Sequence, residues 1–81
     1  EEVVFGKLDL RLAELLLELT GGKKISLKTT HQELAEELGS SREVVSRLLK
    51  DWERQGVVEL RRGEVTVLDP EILKELPGNV T

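Results

Sequence analysis

The sequence predicts a mainly α-helical domain carrying a small β-hairpin, and three observations support that expectation. Apolar residues recur at helical spacing in four separate segments. After Gly56 the period drops from 3.6 to 2, and Gly or Pro marks most of the boundaries between segments. At 81 residues the chain has room for one hydrophobic core and not two.

Taken in order, residues 1–7 show no periodicity and read as the remnant of a linker. Leu8, Leu12, Leu15, Leu16 and Leu19 then form the inner face of a first helix, with Arg11, Glu14 and Glu18 on the other side. Gly21-Gly22 ends it, and Lys24 to Leu27 and Lys28 alternate polar with apolar as a short strand. Thr30 and Glu33 have capping-box spacing and open a second helix with Leu34, Ala35 and Leu38 inward and Gly39 at its end. Ser40 and Glu43 repeat that spacing at once and open a third helix, with Val45, Leu48, Leu49 and Trp52 inward and Gln55-Gly56 closing it. Two helices joined by Gly-Ser-Ser must turn sharply, which is the helix-turn-helix pattern.

Val58 and Leu60, then Val65 and Val67, alternate with polar residues around a two-residue Arg62-Gly63 hairpin turn. Asp69 as cap and Pro70 at the first position open a last short helix with Ile72, Leu73 and Leu76 apolar, which Pro77-Gly78 ends. The expected architecture is a winged helix-turn-helix: a three-helix core plus a β-hairpin wing, spanning 8–77, with a tail at 78–81.

Composition narrows the function classes. The chain has no cysteine, which excludes disulfide frameworks, thiolate zinc sites and cysteine nucleophiles. Its single histidine, His31, offers no imidazole pair to a metal. No carboxylate pair lies in an apolar setting and no nucleophile stands near a base, so neither an enzyme nor a metalloprotein is expected. The longest apolar run, Leu15-Leu16-Leu17, is far short of the ~20 residues of a membrane helix. No basic-then-apolar leader pattern opens the chain, and its start at Glu1 rather than Met suggests excision from something longer. The absence of Cys and Met beside many ion-pairing residues hints at a thermophilic source.

Phe5 and Trp52 are the only aromatics, too few for a base-stacking surface. Trp52, seven residues after Val45, belongs to the core. The net charge of −4 argues against a general nucleic-acid coat but not against one local basic face. Glu36, Glu37, Asp69, Glu71 and Glu75 account for the negative total and are expected to face away from DNA.

The third helix carries such a face. At 100° per residue, Glu43, Arg47, Lys50 and Arg54 form one lengthwise row opposite the apolar side, with Arg42 on its flank. A charged row on a helix is ordinarily just a solvated face, here with a Glu43–Arg47 pair one turn apart. This row lies instead on the second helix of a tight turn, whose N-terminal end enters the major groove in helix-turn-helix readers. Arginine can grip guanine O6 and N7 with both arms, and glutamate can accept from cytosine N4.

At the level of motifs the chain resembles the C-terminal DNA-binding domain of the Crp/Fnr, or catabolite-activator, family of bacterial transcription regulators. The likeness runs from Arg11-Leu12-Ala13 to Val67-Leu68-Asp69 and is densest in Thr30-His31-Gln32-Glu33-Leu34-Ala35 and in Gly39 to Leu49, with its Ser-Arg-Glu-x-Val-x-Arg string. The resemblance implies that Arg42, Glu43 and Arg47 read base edges in TGTGA-like half-sites. It also implies that Thr30, Gln32 and Ser41 hold phosphates. Two departures stand out: His31 where the family often has arginine, and Val44 in place of a common threonine.

Lys50, on the outer row, and Arg61 and Arg62, at the hairpin tip, are further candidates for phosphate contact. His31 is either simply exposed or a phosphate contact. The resemblance further implies a cytoplasmic homodimeric parent that binds a palindromic operator and engages RNA polymerase. Its effector, such as a cyclic nucleotide, would be held in an N-terminal sensor outside this chain. No cofactor is expected in the chain itself, and the chain alone should be monomeric. The rival reading is a winged-helix protein-interaction module with a masked third helix.

Overall fold

The computed structural model describes residues 7–78. The linker expected before Lys7, the tail beyond Gly78 and the inward placement of Leu76 lie outside the described residues. Seven elements follow in the anticipated order: α1 (Lys7–Thr20), β1 (Ser26–Leu27), α2 (His31–Leu38), α3 (Arg42–Arg54), β2 (Val58–Arg61), β3 (Glu64–Val67) and α4 (Pro70–Gly78). Helix α1 thus starts one residue earlier than expected. Helix α4 takes in the Pro77-Gly78 pair that was expected to stop it.

The core draws on every helix. Leu12, Ala13 and Leu16 of α1 meet Leu34, Ala35 and Leu38 of α2, Val45, Leu49 and Trp52 of α3, Val57, Val58, Val65 and Val67 around the sheet, and Leu73 of α4. Leu48 packs against this core only partly buried. Helix α1 departs from its expected orientation. Leu19 is 48% exposed, Leu8 and Leu15 are half-buried, and Thr20 is buried instead. At 100° per residue the buried arc is turned roughly 70° toward Ala13 and Thr20. The cause is that α1 packs on α4 as well as on α2. Thr20 tolerates burial because its hydroxyl donates to the Leu16 carbonyl at 2.8 Å and accepts from the Gly22 amide at 3.2 Å.

Helix α2 is tied at both ends. The Thr30 hydroxyl accepts from the Glu33 amide at 3.1 Å while the Glu33 carboxylate accepts from the Thr30 amide at 3.0 Å, closing the expected capping box. At the far end Gly39 adopts φ +67°, a left-handed conformation that strains any residue with a Cβ, and the Ser40 amide donates to the Ala35 carbonyl at 2.9 Å. Ser40 therefore belongs to the end of α2. The cap of α3 is Ser41, whose hydroxyl accepts from the Val44 amide at 3.3 Å. Glu43 falls at the second helical position, so the second capping box expected from Ser40 and Glu43 does not form.

The wing is larger than the hairpin expected. Strands β2 and β3 pair antiparallel with Arg61 opposite Glu64, which leaves Arg62-Gly63 as the two-residue turn. Strand β1 is shorter than the alternation from Lys24 to Lys28 suggests, and Ile25 is exposed. It adds to the other edge of β3, with Ser26 opposite Thr66 and Leu27 opposite Val65, giving the order β1-β3-β2.

Candidate nucleic-acid interface

Helix α3 divides lengthwise. Val45, Leu49 and Trp52 are buried, while Arg42, Glu43, Arg47, Lys50 and Arg54 are exposed, as the spacing requires. Arg54 donates to Asp51 at 2.9 Å, an exposed pair one turn apart. Glu43 and Arg47 do not pair with each other. Among the described residues Arg42, Arg47 and Lys50 have no ionic partner, which leaves these donors able to meet an external acceptor.

A cleft of about 360 Å³ opens between the start of α2, the later turns of α3 and the wing. Thr30, His31, Lys50, Arg61 and Arg62, five of the residues singled out for phosphate contact, line it together, alongside Glu53. Gln32 and Ser41 do not. Gln32 donates to Glu36 at 3.1 Å on the exposed side of α2, and the Ser41 hydroxyl caps α3. None of Glu36, Glu37, Asp69, Glu71 and Glu75 lines the cleft.

The two wing arginines differ. Arg61 is gripped by Glu59, with Nη2 and Nε donating to the same carboxylate oxygen at 2.7 and 3.0 Å, and this pair holds the guanidinium above its already high ordinary pKa. Arg62 has no such partner among the described residues. The Glu53 carboxylate accepts from the Leu60 amide at 3.4 Å, joining α3 to β2.

His31 is not simply exposed. It is half-buried, and its Nδ1 lies 2.7 Å from the Ser46 hydroxyl of α3. Burial first, and then the charges of Arg42 and Lys50, hold the imidazole below its ordinary pKa of 6.5. Ser46, Glu53 and Glu59 are the site residues that sequence reasoning missed. Glu59 was legible, because residues two apart on a strand share a face. Ser46 lies midway between Arg42 and Lys50 at helical spacing, but nothing local pointed to His31 as its partner.

A family model described as the Crp-like helix-turn-helix domain matches residues 10–76. The chain is 36% identical over 83 residues to the transcriptional regulator SdrP of Thermus thermophilus, a match covering 94% of this chain and 41% of that protein. Its fold superposes with TM-score 0.80 and 44% identity on a chain from Eubacterium rectale crystallised as a transcriptional regulator of the Crp/Fnr family, covering 86% of this chain and 33% of that one. The catabolite activator protein of Thermus thermophilus gives TM-score 0.78 and 36% identity, covering 91% and 35% respectively. The chain therefore spans only about two fifths of its curated relative. With the fold, the exposed outer row of α3 and these likenesses in agreement, the chain belongs to the Crp/Fnr family and is the Crp-like helix-turn-helix, DNA-binding domain of a transcription regulator.

Proposed function

We propose that the domain reads TGTGA-like half-sites of a palindromic operator through the major groove, with Arg42, Glu43 and Arg47 on base edges. The observation that carries this reading is the outer row of α3. Its Arg42 and Arg47 are exposed, free of ionic partners among the described residues, and set on the second helix of a tight turn, while Arg54 at the far end is paired with Asp51. The guanidinium fork matches guanine O6 and N7, and the Glu43 carboxylate can accept from cytosine N4.

Thr30, His31, Gln32, Ser41, Lys50, Arg61 and Arg62 take phosphates, which fix register without reading sequence. Thr30 and Ser41 already cap helices through their hydroxyl oxygens, so each approaches a phosphate as a donor while its oxygen stays in the cap. Lys50 and Arg62 supply the unpaired charge.

The regulator that carries this domain acts in the cytoplasm as a homodimer without catalysis of its own. It answers an effector such as a cyclic nucleotide through a separate domain and meets RNA polymerase at the promoter. The isolated chain is monomeric and binds weakly, because a second half-site gains no effective-concentration advantage without a dimer contact. Its longest described helix, α1, has 14 residues and no sustained heptad pattern.

Selection of bound duplexes from random DNA with the dimeric regulator tests the reading. Enrichment of inverted TGTGA-type repeats is expected. Recovery of unrelated sequences would reject the half-site, and recovery of none would favour the protein-interaction alternative.

A further inference from the structure

His31 bridges the two helices of the reading unit. Its Nδ1 meets Ser46 Oγ at 2.7 Å. Ser46 stands one turn from Arg42 and one turn from Lys50, so the imidazole rests on a hydroxyl bracketed by two cations. The ring also lines the basic cleft. The charged groups that face it there are Lys50 and Glu53 from α3 and Arg61 and Arg62 from the wing, with Arg42 approaching from the start of α3. Arg61 is already paired with Glu59, and Glu53 keeps its charge while accepting from the Leu60 amide, but Lys50, Arg62 and Arg42 outnumber it, so the surroundings of the ring are net cationic. A neutral imidazole suits that environment while the cleft is empty.

A phosphate in the cleft reverses the balance. Where Nδ1–H donates to Ser46, Nε2 turns a bare lone pair to its surroundings and repels a phosphate oxygen until it gains a proton. In the other tautomer the negative charge of a nearby phosphate still favours the imidazolium.

We propose that His31, locked to Ser46 through Nδ1, is a proton-gated phosphate ligand, so that binding duplex DNA transfers one proton from the buffer to its imidazole. The inference deepens the DNA-contact reading above and rests on it. Its sign is fixed by linkage. The free ring titrates low and the phosphate-bound ring titrates higher. Between those two values DNA affinity rises as pH falls, by at most about tenfold per pH unit for one proton.

Folding has the opposite sign. A depressed histidine pKa contributes stability that is present above the unfolded value of 6.5 and is lost as pH falls through the folded one. Acid therefore tightens DNA binding while loosening the fold, a combination that a purely structural histidine would not produce.

Because His31 is the chain's only histidine, its imidazole resonances report one group without ambiguity. They should be titrated by NMR between pH 5.5 and 7.5, with and without a short duplex at low salt, alongside anisotropy measurements on the wild type and His31→Gln. The expected result is an upward move of the titration midpoint with DNA, together with a wild-type affinity that rises toward pH 5.5 while His31→Gln stays nearly flat. A midpoint unmoved by bound DNA, or equal pH dependence in both proteins, overturns proton gating and leaves the DNA-contact reading standing. Failure of the wild type to bind duplex at any pH overturns both.

Discussion

The inner and outer faces of α3 come from the same helix and respond to different forces. The inner face, Val45, Leu49 and Trp52, is held by burial and dense packing, and it fixes where the helix sits. The outer face, Arg42, Glu43, Arg47 and Lys50, is solvated and makes no ion pair with its own chain among the described residues, so its interactions are available to a ligand. The wing contrasts with both, since it is exposed like the outer face but Arg61 is already engaged by Glu59. The difference implies that stability, sequence preference and general phosphate attraction can be changed separately.

The most severe test of that separation is Leu49→Ala. Truncating a fully buried leucine costs roughly 2–5 kcal/mol. A chain of 81 residues is stable by only about 4–12 kcal/mol at 0.05–0.15 kcal/mol per residue. Urea unfolding should show a large drop in midpoint, and binding should weaken for every DNA sequence alike. A shifted base preference in the folded fraction would mean that the two faces are not independent.

Arg47→Lys is the complementary change. It keeps the charge and loses the planar fork, so it should forfeit roughly 1–3 kcal/mol of discrimination at one base pair with urea stability unchanged. Binding by the dimeric regulator to a TGTGA-type palindrome and its single-base variants decides the matter. Equal weakening on every variant would make Arg47 a phosphate clamp. Glu43→Ala should relax preference at its own base pair.

Thr30→Ala tests a residue with both a folding and a binding assignment. Losing the cap should cost about 1 kcal/mol of stability, read by thermal or urea unfolding, and binding should fall without any change in base preference. A loss of affinity with no loss of stability would show that the hydroxyl acts on phosphate alone.

The wing should give the smallest effect. Arg62→Ala should lower the salt slope of binding by roughly one unit. Arg61→Ala should lower it less, because in the wild type that guanidinium must leave Glu59 to reach a phosphate. Glu59→Gln should release Arg61 and steepen the slope. Equal slopes for the two arginine variants would mean that the Glu59 pair imposes no handicap in solution.

Much of this was legible because it is local. The Thr30–Glu33 box, Gly39, the Arg62-Gly63 turn and the alternation of β2 and β3 each depend on residues a few positions apart. The exposed row of α3 follows from helical spacing alone. What escaped the sequence depends on distant neighbours. The burial of Thr20 in place of Leu19 is set by α4, some fifty residues onward, and the length and partner of β1, which was legible as a short strand, are set by its pairing with β3. The cap of α3 shifted by one residue because the end of α2 had a stronger claim on Ser40. In the site, the His31–Ser46 bridge spans fifteen positions across a turn, a separation that carries no periodic signal.

The short connection between α2 and α3 has a mechanical consequence. Gly39, Ser40 and Ser41 are all committed to helix ends, and the His31–Ser46 bond ties the helices again beyond the turn. Nothing between the helices is free to act as a hinge. Any signal arriving from elsewhere in a longer regulator would have to shift this unit as a rigid head rather than bend the helix that reads. In the dimer proposed above, two such heads would address half-sites about 34 Å apart on one side of a duplex. Control would then act through the separation and tilt of the pair, and an ångström-scale misplacement could silence binding while leaving each reading surface unaltered.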